Sequence, residues 1–186
     1  NRVFNISVND GEDASNIAIS TISVVEENDP PVAGNDTATT PEDTAVSFNP
    51  LTNDSDVDGT LDPTSVVFVN EPAGSTLSNG GKTLTVPGEG QYGIDPNNGQ
   101  ITFTPELNYF GRPTPVEYQV ADDDGATATG TVEVTVNDVN DPPMATNDTI
   151  NTNEETGIAS NRDRDETDVD GEPYPNTIVS VNATGG

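Results

Sequence analysis

The sequence contains no cysteine, no histidine and no tryptophan. The first two absences remove thiolate nucleophiles, imidazole bases and the usual zinc ligands, so any bound metal ion must be held through oxygen. A domain that folds in an oxidising compartment without disulfides needs another form of cross-linking, and calcium supplies one. The missing residue types therefore direct attention to the carboxylates.

Basic residues are also scarce. Five Lys and Arg stand against 33 Asp and Glu, which gives a formal net charge of -28. Such a surface repels phosphate backbones and anionic lipid, and no apolar run is long enough to span a bilayer, so neither nucleic acid nor direct membrane insertion is expected. The carboxylates also repel one another in a folded chain unless a cation lies among them. A divalent metal ion is the expected counter-charge.

The sequence repeats itself. The segment "VVEENDPP" at 24–31 returns as "VNDVNDPP" at 136–143, and the offset of 112 positions (136 minus 24) holds without a gap on both sides. It carries the "DVDG" of 56–59 onto 168–171. A repeat of this length is a whole domain rather than a solenoid unit. We therefore expect the C-terminal strands of a preceding repeat at 1–28, a complete repeat at 29–140 and the N-terminal part of a following repeat at 141–186.

The complete repeat shows short strand patterns and no helical period. "TVEVTV" at 131–136 alternates apolar and polar residues, and "VEYQV" at 116–120 does the same. "DDDGAT" between them predicts a hairpin turn, and "DPNNGQ" at 95–100 predicts a second one. About seven such strands, separated by Pro and Gly, predict an all-β Greek-key sandwich of two sheets.

The linker "DVNDPP" at 138–143 resembles the linker of cadherin repeats. The whole repeat resembles the cadherin-like tandem domains of large calcium-dependent bacterial surface adhesins, and the resemblance covers the complete repeat and both partial copies. It implies a cadherin-like or Ig-like sandwich, an extracellular location at the cell surface or in secreted form, and Ca2+ ions between successive repeats. The paired prolines stiffen the exit from the linker.

The resemblance also implies which residues bind calcium. Calcium takes six to eight oxygens at roughly 2.3 to 2.6 Å, and Asp, Glu and Asn supply them. In cadherin-type arrays these ligands come from the upstream domain, the linker and the downstream domain. The set implied for the first junction is Glu26, Asn28, Asp29, Asp56, Asp58 and Asp122. The set implied for the second junction is Glu42, Glu106, Asp138, Asn140, Asp141, Asp168 and Asp170.

Two acidic motifs have other interpretations. "NDSDVDG" at 53–59 begins like an EF-hand loop, but the twelfth position is Ser65 in one copy and Thr177 in the other, where a bidentate Glu is needed. An EF-hand is therefore not expected. Asp123 and Asp124 have no matching acidic pair in the preceding copy, so we expect them only to solvate a hairpin.

The expected function is that of a non-catalytic extender in a long extracellular bacterial adhesin, stiffened by calcium and serving cell adhesion or biofilm formation. The alternative is a carbohydrate-binding or accessory module of a secreted multidomain enzyme. Carbohydrate-binding units usually present exposed aromatics, and nine Phe and Tyr without any Trp make such a strip difficult to assemble. The expected partners are neighbouring repeats of the same chain. Homophilic contact and head-to-tail pairing of the partial repeats through their strand edges stay open as further partners.

Overall fold

The computed structural model describes residues 2–25, 27–147 and 167–171. These residues form eleven β-strands and two three-residue 3₁₀ turns. The strands are β1 (Arg2–Ile6), β2 (Ala18–Ile22), β3 (Asp36–Pro41), β4 (Val46–Phe48), β5 (Leu61–Val69), β6 (Thr76–Ser78), β7 (Thr83–Val86), β8 (Gly90–Ile94), β9 (Ile101–Pro105), β10 (Val116–Asp122) and β11 (Thr127–Asn137), and the 3₁₀ turns are Pro50–Thr52 and Asn79–Gly81. No helix in this described part has the length and apolarity that crossing a membrane requires.

The nine strands from β3 to β11 form two sheets that pack face to face. One sheet has four strands in the order β3-β11-β10-β5, and the other has five in the order β4-β9-β8-β7-β6. β3 runs parallel to β11, whereas the other pairings are antiparallel. The chain crosses between the sheets after β3, β4, β5 and β9, so the predicted all-β Greek-key sandwich is confirmed. Its described strands number nine rather than about seven, because β4 and β6 have three residues each and are too short to show an alternation.

The core lies between the two sheets, where alternate strand residues point inward. Val132, Val134 and Val136 of β11 are all buried, as the alternation predicts. From the five-stranded sheet, Tyr92 and Phe103 pack against each other with ring centroids 4.5 Å apart. Both predicted hairpins are present, one between β10 and β11 and one between β8 and β9.

Strand direction sorts the loops to two ends of the sandwich. β3 and β11 run side by side in the same direction, so Glu42 and Asp138 emerge at the same end. β9 lies antiparallel to β4 and therefore runs in the same direction as β3 and β11. The loop 106–115, which follows β9, lies at this end as well. We call this end, which carries Glu42, Asp138 and 106–115, the linker end. The opposite end, called the entry end, carries the incoming segment 28–35 and the loops 49–60 and 123–126.

β1 and β2 form an antiparallel hairpin that repeats the pairing of β10 with β11. Phe4 pairs with Ser20, and 112 positions later Val116 pairs with Val132. Both strands of the hairpin are exposed along their whole length. Phe4 and Ile6 correspond to buried residues of β10, so the hairpin presents an apolar face.

A cluster of polar side chains lies between the sheets near the entry end. The Tyr118 hydroxyl donates to Asp54 Oδ2 over 2.9 Å, and the Gly34 N–H donates to Asp54 Oδ1 over 2.7 Å. Asp36 lies beside this pair with its Oδ2 atom buried and without a hydrogen-bond partner. Burial raises the pKa of Asp36 to about 6, the nearby Tyr118 hydroxyl opposes this shift, and the charge of Asp54 adds to it.

Asp36→Asn is expected to stabilise the fold at alkaline pH but not at acidic pH. The pKa of Asp36 in the folded chain, about 6, exceeds the ordinary value of 3.8. The stability contributed by its proton is therefore complete below 3.8 and is lost as the pH rises through the folded pKa. Because solvent partly screens this carboxyl, the expected gain at about pH 8 is about 1 kcal/mol. Thermal unfolding at about pH 4 and about pH 8 measures it, and the same shift in both buffers would contradict the assignment.

Candidate metal site

Three carboxylates meet at the linker end. One oxygen from each of Glu42, Asp138 and Asp170 lies within 4.8 Å of the other two. Glu42 follows β3 and Asp138 follows β11, and the parallel ladder of these strands ends with Pro41 opposite Asn137. The next residue of each strand therefore emerges at the same level. Asp170 comes from the second "DVDG" loop, so the cluster joins three separated parts of the chain.

Glu42 is nearly fully buried, with 4% of its surface exposed. Its backbone N–H donates to the Asn137 carbonyl over 2.8 Å, and its Oε1 accepts from the Val139 N–H over 2.5 Å. Its other carboxylate oxygen, Oε2, is buried without a hydrogen-bond partner, and so is Oδ1 of Asp170. Buried carboxylate oxygens without partners are costly, so this cluster fits a cation that takes oxygen ligands.

The same hydrogen bonds hold the chain at both junctions. The Asp141 N–H donates to Asp170 Oδ2, and at the first junction the Asp29 N–H donates to Asp58 Oδ2 over 3.2 Å. Within each "DVDG" loop, the N–H of the second Asp donates to Oδ1 of the first over 3.2 Å. Isolated β-bridges accompany these bonds in both places, Val32 with Ser55 and Met144 with Thr167. The two junctions therefore share one local backbone arrangement.

Negative charge accumulates at the second junction. Burial raises the pKa of the Asp141 carboxyl, and four neighbouring carboxylates raise it further, namely Asp170, Asp43, Asp168 and Asp138. The raised pKa of Asp141 reports repulsion between its carboxylate and these neighbours, and a bound cation would remove that repulsion. The electrostatics of this junction, like its carboxylate oxygens without hydrogen-bond partners, therefore favour a bound cation.

The first junction gathers polar groups at the entry end. Asp122 is 4% exposed and accepts a hydrogen bond from Nδ2 of Asn28 over 2.9 Å. That hydrogen bond lowers the pKa of Asp122 against the effect of burial, and backbone donors including the Ala126 N–H lower it as well. Asp56 Oδ2 is buried without a hydrogen-bond partner. This junction too combines a buried carboxylate with an oxygen that has no donor.

Two of the predicted ligands, Glu106 and Asn140, take no part in the contacts just described, and a third, Glu26, lies outside the described residues. Glu106 belongs to a linker-end loop, but its side chain is exposed, and the cluster found among the described residues does not include it. Asn140 is exposed and donates from Nδ2 to the Asp141 carbonyl over 2.9 Å. The ligand roles of these three residues, like those of the other ten, stay predictions.

Two aspartates that the sequence analysis did not select help to build the junctions. Asp123 Oδ1 accepts from the Thr60 N–H over 2.7 Å, which ties the β10–β11 turn to the first "DVDG" loop. Asp43 Oδ1 accepts from the Asn108 N–H over 2.9 Å and so joins the turn after β3 to the loop 106–115. Both bonds span more than sixty positions. No local sequence motif predicts a hydrogen bond between residues so far apart in the chain.

A two-sheet Greek-key sandwich with acidic side chains gathered at both ends is the arrangement of a cadherin-type domain. A model of the bacterial cadherin-like domain matches residues 28–138, more than half of the chain, and the chain belongs to this family. The resemblance first noted in the "DVNDPP" linker is therefore confirmed. Membership of the family supports an extracellular module of the adhesion type.

Solved structures show more distant similarities. The solution structure of the PKD domain from the KIAA 1837 protein is 20% identical and covers 64% of this chain and 96% of that one, with a TM-score of 0.34. The structure of protocadherin Gamma B2 extracellular cadherin domains 1–5 is 18% identical and covers 72% of this chain, with a TM-score of 0.38. The match spans only 24% of that protocadherin chain. No curated protein matches the sequence.

Gly59→Ala is expected to destabilise the sandwich, whereas Gly171→Ala is not. A Cβ atom at Gly59 would lie 2.6 Å from Asp123 Oδ1 and 3.0 Å from Asp56 Oδ2, but a Cβ at Gly171 meets no atom of the described residues within 4 Å. Displacing Asp123 breaks its hydrogen bond from Thr60, so we expect the free energy of unfolding to fall by about 1 kcal/mol. Urea denaturation of both variants measures this loss. Equal stability of the two would refute the contact at Gly59.

Proposed function

We propose that both junctions bind calcium ions. The observation that carries this proposal is the linker-end cluster, in which Glu42 and Asp170 each bury an oxygen without a partner beside Asp138. Hard carboxylate and amide oxygens, in a chain without thiolate or imidazole, suit calcium rather than zinc. The proposed ligands are Glu26, Asn28, Asp29, Asp56, Asp58 and Asp122 at the first junction and Glu42, Glu106, Asp138, Asn140, Asp141, Asp168 and Asp170 at the second.

The proposed role of these ions is to fix the direction of one repeat relative to the next. In this proposal 29–140 is one complete repeat, and 1–28 and 141–186 belong to its neighbours. At the second junction the ligands come from the end of β3, from the linker and from the following "DVDG" loop, so one bound ion holds three parts of the chain together. Without the ion, like charges in the junction repel and the linker samples many directions.

A module stiffened in this way serves as an extender. We propose that it is a non-catalytic spacer in a long bacterial adhesin, which projects a distal binding domain away from the cell surface for adhesion or biofilm formation. Membership of the bacterial cadherin-like family supports the adhesion-type, extracellular part of this proposal. The acidic surface, with its formal net charge of -28, supports the need for calcium.

The burial of aromatic side chains favours an extender over a carbohydrate-binding module. Four aromatic side chains are fully buried in the core, Phe68, Tyr92, Phe103 and Tyr118. Among the described aromatics, the exposed ones are Phe4 and Phe110, which lie in different copies of the repeat. A sugar chain is usually held against several aromatic faces on one surface, and the described residues provide no such row.

Calcium is expected to lengthen and stiffen an array of three whole repeats. Small-angle X-ray scattering should give a larger maximum dimension and a narrower distance distribution with calcium than with a chelator, because each bound ion is ligated by two repeats and the linker. Glu42→Gln at every junction keeps the shape of the side chain but removes its charge, and it should reduce the difference between the two conditions.

The matched control is Glu133→Gln on the exposed face of β11, which removes the same charge away from the junction. This variant should respond to calcium as the unmodified array does. Identical scattering profiles with calcium and with chelator would leave the linkers as plain tethers and would overturn the proposed function.

We also propose that chains associate head to tail through the β1–β2 hairpin. Phe4 and Ile6 give the hairpin an apolar face, and no other strand of the described residues pairs with either of its edges. The segment 141–186 of a second chain carries, at the 112-position offset, the sequence equivalents of β3 and β5, which flank β11 and β10 in the complete sandwich. Pairing of this kind does not close on itself, so it builds filaments.

Phe4→Asp is expected to lower the average mass of the chain in concentrated solution, because a charge on the apolar face opposes its burial. Val3→Asp places the same charge on the other face of β1 and should leave the mass unchanged. Static light scattering over a series of concentrations compares the variants. An unmodified chain that remains monomeric at the highest soluble concentration would rule out this association.

A further inference from the structure

An asparagine that precedes a glycine occurs twice in the sequence, at Asn79–Gly80 and at Asn98–Gly99. This pair favours loss of the side-chain amide, because glycine has no Cβ to obstruct attack by its backbone nitrogen on the Cγ atom of the asparagine. The attack closes a five-membered ring and releases ammonia. Its rate in a folded chain depends on whether the glycine N–H and the asparagine side chain are free.

Both pairs lie in turns of the five-stranded sheet. Asn79 begins the 3₁₀ turn that joins β6 to β7, and Asn98 lies in the turn that joins β8 to β9. Both asparagines are exposed to solvent. Their positions in the fold are therefore alike, and only the local contacts of the two turns distinguish them.

The turn at Asn98 is held by hydrogen bonds and by packing. The Gly99 N–H donates to the Asp95 carbonyl over 2.9 Å, and Oδ1 of Asn98 accepts from the Gln100 N–H over 2.9 Å. Gly99 itself is buried, and a Cβ atom there would lie 2.6 Å from the Pro63 carbonyl oxygen. Ring closure at Asn98 would have to break both hydrogen bonds and displace a packed main chain.

The turn at Asn79 has none of these restraints. Within the described part of the chain, neither the Gly80 N–H nor the Asn79 side chain makes a hydrogen bond. Gly80 is exposed, and a Cβ atom there would meet no described atom within 4 Å. Gly81 follows it, and two consecutive glycines let the main chain change conformation at low steric cost. The attacking nitrogen and its target are therefore both free to move.

We propose that Asn79 is a site of spontaneous deamidation and that the fold protects Asn98 from the same reaction. The Gly80 nitrogen loses its proton and forms a bond to Asn79 Cγ, and the side-chain amide takes up that proton and leaves as ammonia. Water then opens the resulting imide ring at one of its two carbonyl groups. The product at position 79 is aspartate or isoaspartate, and the reaction needs no oxidant, metal ion or cofactor.

Deamidation changes the turn in two ways. It adds a negative charge, and isoaspartate also lengthens the main chain by one carbon atom between β6 and β7. On the β7 side Lys82 is fixed, because its Nζ donates to the Thr64 carbonyl over 2.9 Å and its own carbonyl accepts from the Ile94 N–H over 2.8 Å. The added length therefore falls on β6, the edge strand of its sheet. This site is independent of the proposed calcium binding.

Peptide mapping of the intact folded chain, incubated at neutral pH, tests the proposal. Cleavage after Lys82 places Asn79 and Asn98 on different peptides, and fragment masses show which asparagine has become an acid. We expect the amide of Asn79 to be lost at least about fivefold faster than that of Asn98, since loss of one backbone hydrogen bond corresponds to about that factor. Equal rates, or a faster reaction at Asn98, would overturn the proposal.

The same measurement in concentrated urea is the control for the role of the fold. The two rates should converge in the unfolded chain, and a difference that persists there unchanged would refute protection of Asn98 by its turn. Two matched variants identify the site in the folded chain. Asn79→Ser should remove the main acidic species that isoelectric separation detects after incubation, whereas Asn98→Ser should leave it. Persistence of that species in Asn79→Ser would contradict the assignment.

Discussion

Repulsion among carboxylates is the constraint on which this structure depends. The chain carries an excess of acidic groups, and at the second junction one carboxylate oxygen from each of Glu42, Asp138 and Asp170 lies within 4.8 Å of the other two. Such a concentration of charge is unfavourable in a folded protein unless a cation resides within it. The features of the junction are those that a proposed cation site requires: the buried Glu42, the amide donors that orient one oxygen of Glu42 and of Asp170, and the second oxygen of each that is left without a donor.

The sandwich supplies this arrangement through the direction of its strands. β3 and β11 are the one parallel pair among the described strands, and their ladder ends level, so that the residues after both strands emerge side by side. An antiparallel partner in place of β3 would send Glu42 to the entry end, away from Asp138. The same logic places Asp122, at the end of β10, beside the incoming Asn28. The topology thus determines which carboxylates meet.

Much of the fold and of the candidate site could be predicted from the sequence, and the parts that could not be predicted have physical causes. Alternation along β10 and β11 fixed their inward faces, because one side of each strand is buried, and the repeat offset identified equivalent loops. The three-residue strands β4 and β6 carried no period and were not predicted. Asp43 and Asp123 were missed because their partners, Asn108 and Thr60, are distant in sequence and are recruited through backbone amides, which every residue possesses. The raised pKa of Asp36 depends on burial that only the packed sheets create.

The parallel pairing of β3 with β11 has a mechanical consequence. These are the first and last strands of the sandwich, and six residue pairs join them, from Asp36 with Val132 to Pro41 with Asn137. When tension acts on the two ends of the domain, it pulls β3 and β11 in opposite directions along their common axis. The ladder is then loaded in shear, so its hydrogen bonds must fail together instead of opening one after another. Under load the lifetime of the fold is governed by this rate of rupture rather than by its equilibrium stability.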